Sequence, residues 1–432
     1  IYLANLVIER FDAAESEVKA RNIAEAKFFR AICYFELTTL WGTPPLVDRV
    51  LKNSEEYKVP NSTAEQLWKF METDLTEAIT SGKLTSKTSL EDRDGGTRAT
   101  LEAARCLLGK IYLYQEKYAD AKSELEKVIS SGKYDLIADV STFYHPASAG
   151  CKEYVLECVR HYDPSNMYSQ EGWFGILANW GFGYGFIAGP EASMHYKFNT
   201  TSGYSYFNPS KSLYDAFVAE EGADGYRLNA WIRTWEQVIA MNIAVNTTTN
   251  KYASEGYFRL KWLASTDDEF VGYWCGNQSN TPVIRYADVL LMAAEACLQA
   301  GDQAGADEYL GRVRDRARLP RKSHVTLSDI KLERRLELAM EGMRFQDLKR
   351  WGDAPAVLAD KGKKLPTFQI VPDPNNDLTT AAGIYNARYT TKTTYVDNEK
   401  SLAGWTPNRD EWLPFPENEL EVNSNLKQNP GY

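Results

Sequence analysis

Two segments far apart in this 432-residue chain carry the same helix–turn–helix spacing, and that repetition limits the fold more than any other feature. Residues 99–131 read ATLEAARCLLGKIYLYQEKYADAKSELEKVISS, with Leu108, Gly109, Tyr112, Ala121 and Leu125 at the intervals of a tetratricopeptide unit. Residues 284–317 repeat the arrangement with Ala294, Ala306, Leu310 and Val313. Small residues in such a unit let two helices approach, while Tyr112 and Leu125 fill the gap between them. Each unit buries its apolar face only against neighbours, so the two distant segments are expected to stack on one another. The expected fold class is mainly α: a tetratricopeptide-like helical-repeat scaffold with large irregular loop insertions and a few short strands.

Further helices extend this framework. The run YLANLVIERF has a helical pattern from the first residues. Asn22 can cap a helix that ends near Gly42, before Pro44 and Pro45. Ser62 and Glu65 form a capping-box pattern for the next one, running to Gly82. Residues 332–352, LERRLELAMEGMRFQDLKRWG, read as one amphipathic helix with Leu336, Met340, Met343 and Leu348 on its apolar face. Its other face carries Arg334–Glu337, Glu341–Arg344, Arg344–Asp347 and Asp347–Arg350, each three residues apart and expected to pair along the helix surface. Gly342 breaks the pattern and implies a packing reason, and Gly352 is placed to end the helix. Changing Glu341 or Arg344 is expected to lower stability and not to remove ligand contacts directly.

The domain organisation follows as a single unit over residues 1–432. A helical framework spans 1–132 and 281–352, a loop insertion spans 133–280, and a loop-rich C-terminal segment spans 353–432. The insertion is dense in aromatic, Gly and Asn residues, the composition of binding loops carried on a rigid scaffold. The C-terminal segment is expected to pack on the framework, because Trp405, Trp412, Leu413, Phe415 and Leu420 are costly to leave in water.

Charge and motifs exclude several function classes. A net charge of −10 without a basic cluster gives no footprint for nucleic acid. No apolar run approaches the ~18 residues that read as a membrane-spanning helix. A GxSxG elbow, an HExxH pair, a Walker loop and a dinucleotide fingerprint are all missing. The four histidines are too scattered for metal-ligand spacing, and no cofactor or metal is expected. Oxygen-rich turns at Asp92 and Asp94, and at Asp373, Asn375, Asn376 and Asp377, fall short of a calcium loop and read as solvated turns. Cys33, Cys106 and Cys297 read as small buried hydrophobes, and Cys151 and Cys158 are near enough in sequence that a bridge stays open.

Four stretches then carry a resemblance to a known family: AEAKFFRAICYFELTTLWGTPPLV from Ala24, PVIRYADVLLMAAEA from Pro282, ERRLELAMEGMRFQDLKRWG from Glu333, and LPFPENELEVNSNLKQNPGY from Leu413. In order and spacing the chain resembles the SusD/RagB family of outer-membrane nutrient-binding lipoproteins along its whole length. Met343 and Phe345 stand where the family often has a His followed by an aromatic, a difference expected to alter packing only. The resemblance implies a cell-surface protein that binds an oligosaccharide, or alternatively a peptide, and delivers it without catalysis. Its implied partner is a TonB-dependent SusC-like outer-membrane barrel, over whose mouth it acts as a lid. A signal peptide and lipid-bearing Cys, the implied link to the membrane, are expected to lie outside this sequence.

The candidate ligand-binding residues come from the insertion. Sugar rings stack their C–H faces on aromatic side chains, while amide and charged groups satisfy the hydroxyls. The loop GYWCGNQSN places Tyr273 and Trp274 beside Asn277 and Gln278, immediately before a repeat helix. Trp173, Trp180 and Tyr184 follow as candidates in the run EGWFGILANWGFGYGF. Two alternatives come from other classes. A glycoside hydrolase needs two positioned carboxylates, which 59 acidic residues cannot identify without geometry. A helical-repeat protein-interaction scaffold would use a concave helical face and bind no small ligand.

Overall fold

The computed structural model describes residues 1–159, 209–240, 251–252, 255–261, 280–377, 379–380, 383, 388–398 and 403–432. The described part is mainly helical, as expected. Helices α1 (Tyr2–Arg10), α2 (Glu17–Trp41), α3 (Ala64–Thr80), α4 (Leu101–Tyr114) and α5 (Tyr118–Ser130) are followed by strand β1 (Tyr154–Cys158). In the insertion lie α6 (Lys211–Glu221), α7 (Tyr226–Trp231), β2 (Ile232–Thr234), α8 (Trp235–Ala240), β3 (Lys251–Tyr252) and β4 (Tyr257–Arg259). Next come β5 (Thr281–Arg285), α9 (Tyr286–Gln299), α10 (Gln303–Arg316), α11 (Leu327–Glu337) and α12 (Arg344–Arg350). The chain closes with β6 (Lys364–Pro372), β7 (Tyr389–Asp397) and α13 (Glu417–Val422).

Both repeat units form as helical hairpins, α4–α5 and α9–α10, and they stack through α9 on α5 and α4. Gly109 shows why the spacing matters. A Cβ there would stand 2.7 Å from Leu125 Cγ, so only glycine lets α5 seat its leucine this close. Helix α9 is apolar nearly all round and buried from Tyr286 to Cys297, the pattern of a central helix with neighbours on every side. Ala294, Ala306, Leu310 and Val313 are all buried at the contacts their spacing implied.

Several local expectations shift. Helix α2 begins five residues before Asn22, with Ser16 accepting the Lys19 N–H as cap. The capping box of α3 uses Thr63 and Gln66, one residue beyond the expected pair, while Ser62 accepts the Leu46 N–H instead. Cys33 is exposed, because it lies on the outer side of α2, whereas Cys106 and Cys297 are buried. Cys151 and Cys158 are unbridged thiols.

The largest correction concerns residues 332–352, which are two helices and not one. Between α11 and α12 the chain turns through Met340 at φ +66° and Gly342 at φ +82°. The cause is tertiary. The carbonyl of Glu337, which a continuing helix would direct to its own backbone, accepts from Lys261 Nζ at 3.0 Å and Arg285 Nη2 at 3.1 Å. Ala339 O accepts from Lys261 at 3.1 Å. Gly342 supplies the left-handed backbone this turn requires, and Gly352 at φ +71° ends α12 as its position implied.

The C-terminal segment also differs from the expected loop, since β6 and β7 pair in unbroken antiparallel register from Lys364↔Asp397 to Pro372↔Tyr389. Strand β3 joins them on the β6 side, tying the insertion to the C-terminal hairpin. The remainder does pack on the framework. Trp412 lies flat over Gly42, where a Cβ would meet its ring at 2.9 Å, and Leu413 N–H donates to Leu40 O. Asn423, Asn425 and Asn429 donate to the carbonyls of Val59, Lys58 and Trp41, which explains why an Asn-rich tail closes the chain.

Candidate functional site

Where the insertion meets the framework, carboxylates and guanidinium groups are buried together. Arg285 donates to Glu341 at 2.7 and 2.9 Å and to Glu337 at 3.0 Å. Its Nη1 reaches Glu153, which also accepts from Arg316. Arg227, from α7, binds Glu221 at 2.7 Å and Glu337 at 3.0 Å. Lys261 donates to Glu341 at 2.6 Å and stands 3.8 Å from the centre of the Trp231 ring. Burial would raise the Glu337 carboxyl, but Arg316, Arg285, Arg227 and Lys261 around it hold it far below 4.5. Burial brings Lys261 down to about 8 despite Glu341 beside it. A second buried cluster joins Arg334 to Asp288 at 2.7 Å and to Asp347 at 2.9 Å, with Arg350 held by Asp347 and Glu295.

These clusters replace the surface pairing expected along residues 332–352. Of the four three-apart pairs, only Asp347–Arg350 forms among the described contacts, at 2.9 Å, and Arg334, Glu337 and Glu341 reach across to different elements. Such enclosed groups are not a ligand site. Lys261, in the first cluster, is the last described residue before 262–279, and Asn280, the first after that segment, donates to the buried Glu157 at 3.0 Å. Both residues that flank the segment containing Tyr273, Trp274, Asn277 and Gln278 are thus held by buried carboxylates.

Those four residues, and Trp173, Trp180 and Tyr184 within 160–208, lie outside the described residues. The same is true of His161 and His195. The oxygen-rich turns are described, and their side chains serve the turns themselves. Asp373 accepts from Asn375, Asn376 bonds the backbone of Arg388, and Asp92 accepts from Thr88 and Gly95. Glu126, Cys297 and Asp302 converge between the repeats, but Lys122 stands 2.6 Å from Asp302 and the Tyr309 hydroxyl donates to Glu126. Protein groups thus already satisfy both carboxylates.

A cleft of about 560 Å³ opens where the insertion returns to the C-terminal hairpin. Its construction starts at Gly256, whose φ of +89° lets Phe368 come to 2.5 Å from where a Cβ would stand. Phe368 packs edge-on against Trp235 at 5.4 Å, which seats the β6–β7 ribbon against the insertion. On the same face of the ribbon, two residues along each strand, Pro366 and Tyr395 are directly paired and line the cleft. The Tyr395 hydroxyl donates to Glu255 Oε1 at 2.5 Å, and Glu255 Oε2 accepts the Lys211 N–H at 2.6 Å. That bond to Glu255, with partial burial, pushes the Tyr395 phenol up to about 12. The lining also holds Asp360 paired with Lys363 at 3.0 Å, and Lys364 near Asp397 at 3.9 Å. Pro209 and Ser210, where the chain re-enters after residue 208, complete the lining.

None of these cleft residues was among the candidates read from the sequence. A usable signal was present: KLPTFQIVP and YTTKTTYVD are rich in β-branched and aromatic residues at strand spacing, which marks a hairpin and places Tyr395 on one face.

Comparison with known proteins gives this arrangement a context. A family model described as the SusD family matches residues 152–432, and another described as "Starch-binding associating with outer membrane" matches residues 1–113. A SusD-like protein of Bacteroides ovatus is 25% identical, over 100% of this chain and 79% of its own length. SusD-like protein P2 of Formosa agariphila is 26% identical, over 95% of this chain and 74% of its own. A solved structure titled as a laminarin-binding SusD-like protein superposes with a TM-score of 0.76 at 28% identity, covering 100% of this chain and 84% of that one.

Proposed function

Because this chain belongs to the SusD family, we propose that it binds oligosaccharide at the bacterial cell surface and passes it, unaltered, to a SusC-like TonB-dependent barrel in the outer membrane. The observation that carries the reading is its similarity along its full length to a laminarin-binding relative, at 28% identity and a TM-score of 0.76. Laminarin and starch are accordingly the first polysaccharides to test. No helix among the described residues is long and apolar enough to cross a membrane. Tyr273, Trp274, Asn277 and Gln278 form the principal contact, with Trp173, Trp180 and Tyr184 adding stacking surface. The buried groups that hold Lys261 and Asn280, the residues flanking 262–279, support this assignment by giving the segment rigid neighbours.

The test is titration calorimetry of the purified chain against laminarin and starch oligosaccharides, alongside Trp274→Ala. Wild-type binding that falls at least about tenfold in the variant is the expected result, the loss of one well-placed aromatic contact. Unchanged affinity in the variant removes Trp274 from the site. Binding to peptides alone would replace the glycan reading, and product release during prolonged incubation would make the protein a hydrolase.

A further inference from the structure

We infer that the cleft between the insertion and the C-terminal hairpin is a saccharide subsite, built on Tyr395 and Glu255 and suited to an uncharged stretch of the glycan. The inference rests on the glycan-binding reading above and adds to it a place and a ligand class.

Three features of the cleft point this way. First, it presents a fixed aromatic face. Tyr395 is 50% exposed, yet its hydroxyl is held by Glu255, whose other oxygen is held by the Lys211 backbone. An exposed tyrosine with its ring orientation already set loses little freedom when a sugar stacks on it. Pro366, directly opposite on β6, widens that apolar floor beside the ring. Second, the polar groups around the floor include both acceptors and donors, as a polyhydroxylated ligand requires. Glu255 and Asp360 are carboxylates, and Lys363 and Lys364 are ammonium donors in the same lining. Third, the charges cancel. Asp360 is paired with Lys363, and Lys364 lies near Asp397, so among the described residues the lining carries no excess cation to attract a uronate or a sulfate. Its volume of about 560 Å³ is within the range of small-ligand clefts and exceeds a single sugar ring.

A subsite here would bind sugar units beyond those at the contact residues proposed above. It would therefore matter for long oligosaccharides and little for short ones.

The experiment compares wild type, Tyr395→Ala, Tyr395→Phe and Trp274→Ala by calorimetry with laminarihexaose and maltohexaose, each beside its disaccharide. A charged oligogalacturonate serves as comparator. Circular dichroism melts accompany every variant, and Tyr395→Phe keeps the ring should Tyr395→Ala fold poorly. The expected result is about tenfold weaker hexasaccharide binding in Tyr395→Ala, within about threefold of wild type in Tyr395→Phe, and unchanged disaccharide binding. Hexasaccharide affinity unchanged in a folded Tyr395→Ala overturns the subsite while leaving the glycan reading intact. A Tyr395→Ala loss confined to the oligogalacturonate overturns the uncharged ligand class. Wild type binding none of the saccharides overturns the glycan reading itself, and the subsite with it.

Discussion

The buried clusters of the framework and the rim of the cleft use the same chemistry, carboxylates facing cations, and employ it in opposite ways. Arg334 has a side chain 2% exposed and touches Asp288 and Asp347 at 2.7 and 2.9 Å. Asp360 and Lys363, at 3.0 Å, are 89% and 53% exposed. In the first setting water cannot replace a lost partner, so each charge depends on its neighbours to remain folded. In the second, water or a sugar hydroxyl can take either partner's place at little cost. Charge enclosed in this protein sets position, and charge left open is available to a ligand.

Removing one enclosed charge should have the largest effect. Arg334→Ala leaves Asp288 and Asp347 facing each other in the core, and should lower unfolding free energy by ~3–5 kcal/mol in urea titrations. A loss below about 1 kcal/mol would place the buried cluster in the same class as the surface pairs.

Acid should act on the framework in the same direction. Burial would raise the carboxyls of Glu337, Glu341, Asp288 and Asp347, but the neighbouring arginines and lysines outweigh it and hold all four below their ordinary values of 4.5 and 3.8. A depressed folded-state pKa means that the stabilisation is complete above the ordinary value and is lost as pH falls through the lower one. The urea midpoint should therefore fall progressively as the pH is lowered below about 5. Lys261 acts with the opposite origin: burial lowers it from 10.5 to about 8, so the unfolded chain binds the extra proton between those values and stability gains from it as pH rises through them. An Arg334→Ala chain should show a shallower acid slope than wild type, which ties the slope to the cluster.

The smallest effect belongs to the cleft rim. Asp360→Asn removes a pair that is largely in water and should change stability by less than ~1 kcal/mol. A change of several kcal/mol in the same urea titration would show that the rim is structural, and the contrast with Arg334 would fail.

The stretch 332–352 shows where a linear reading stops. Its residues favour helix, and nothing in LELAMEGMR announces that Lys261, 76 and 78 positions away, will take the carbonyls of Glu337 and Ala339. Local propensity was read correctly and overruled by a distant donor. The C-terminal hairpin is a different case, because its alternation was visible in KLPTFQIVP and YTTKTTYVD and the surrounding Pro and Asn residues masked it. For the proposed binding residues, the aromatic side chains are legible as a composition, and their positions lie outside the described residues.

What the sequence determined by itself is the helical-repeat framework and the family. The contacts that define a repeat, such as Gly109 with Leu125, join residues close in the chain, so their spacing is written in the order of residues. The tertiary structure alone decided which charges are enclosed and which stay open. Arg227 and Glu333, or Tyr395 and Glu255, are more than a hundred positions apart, and only the folded chain sets their distance and their access to water.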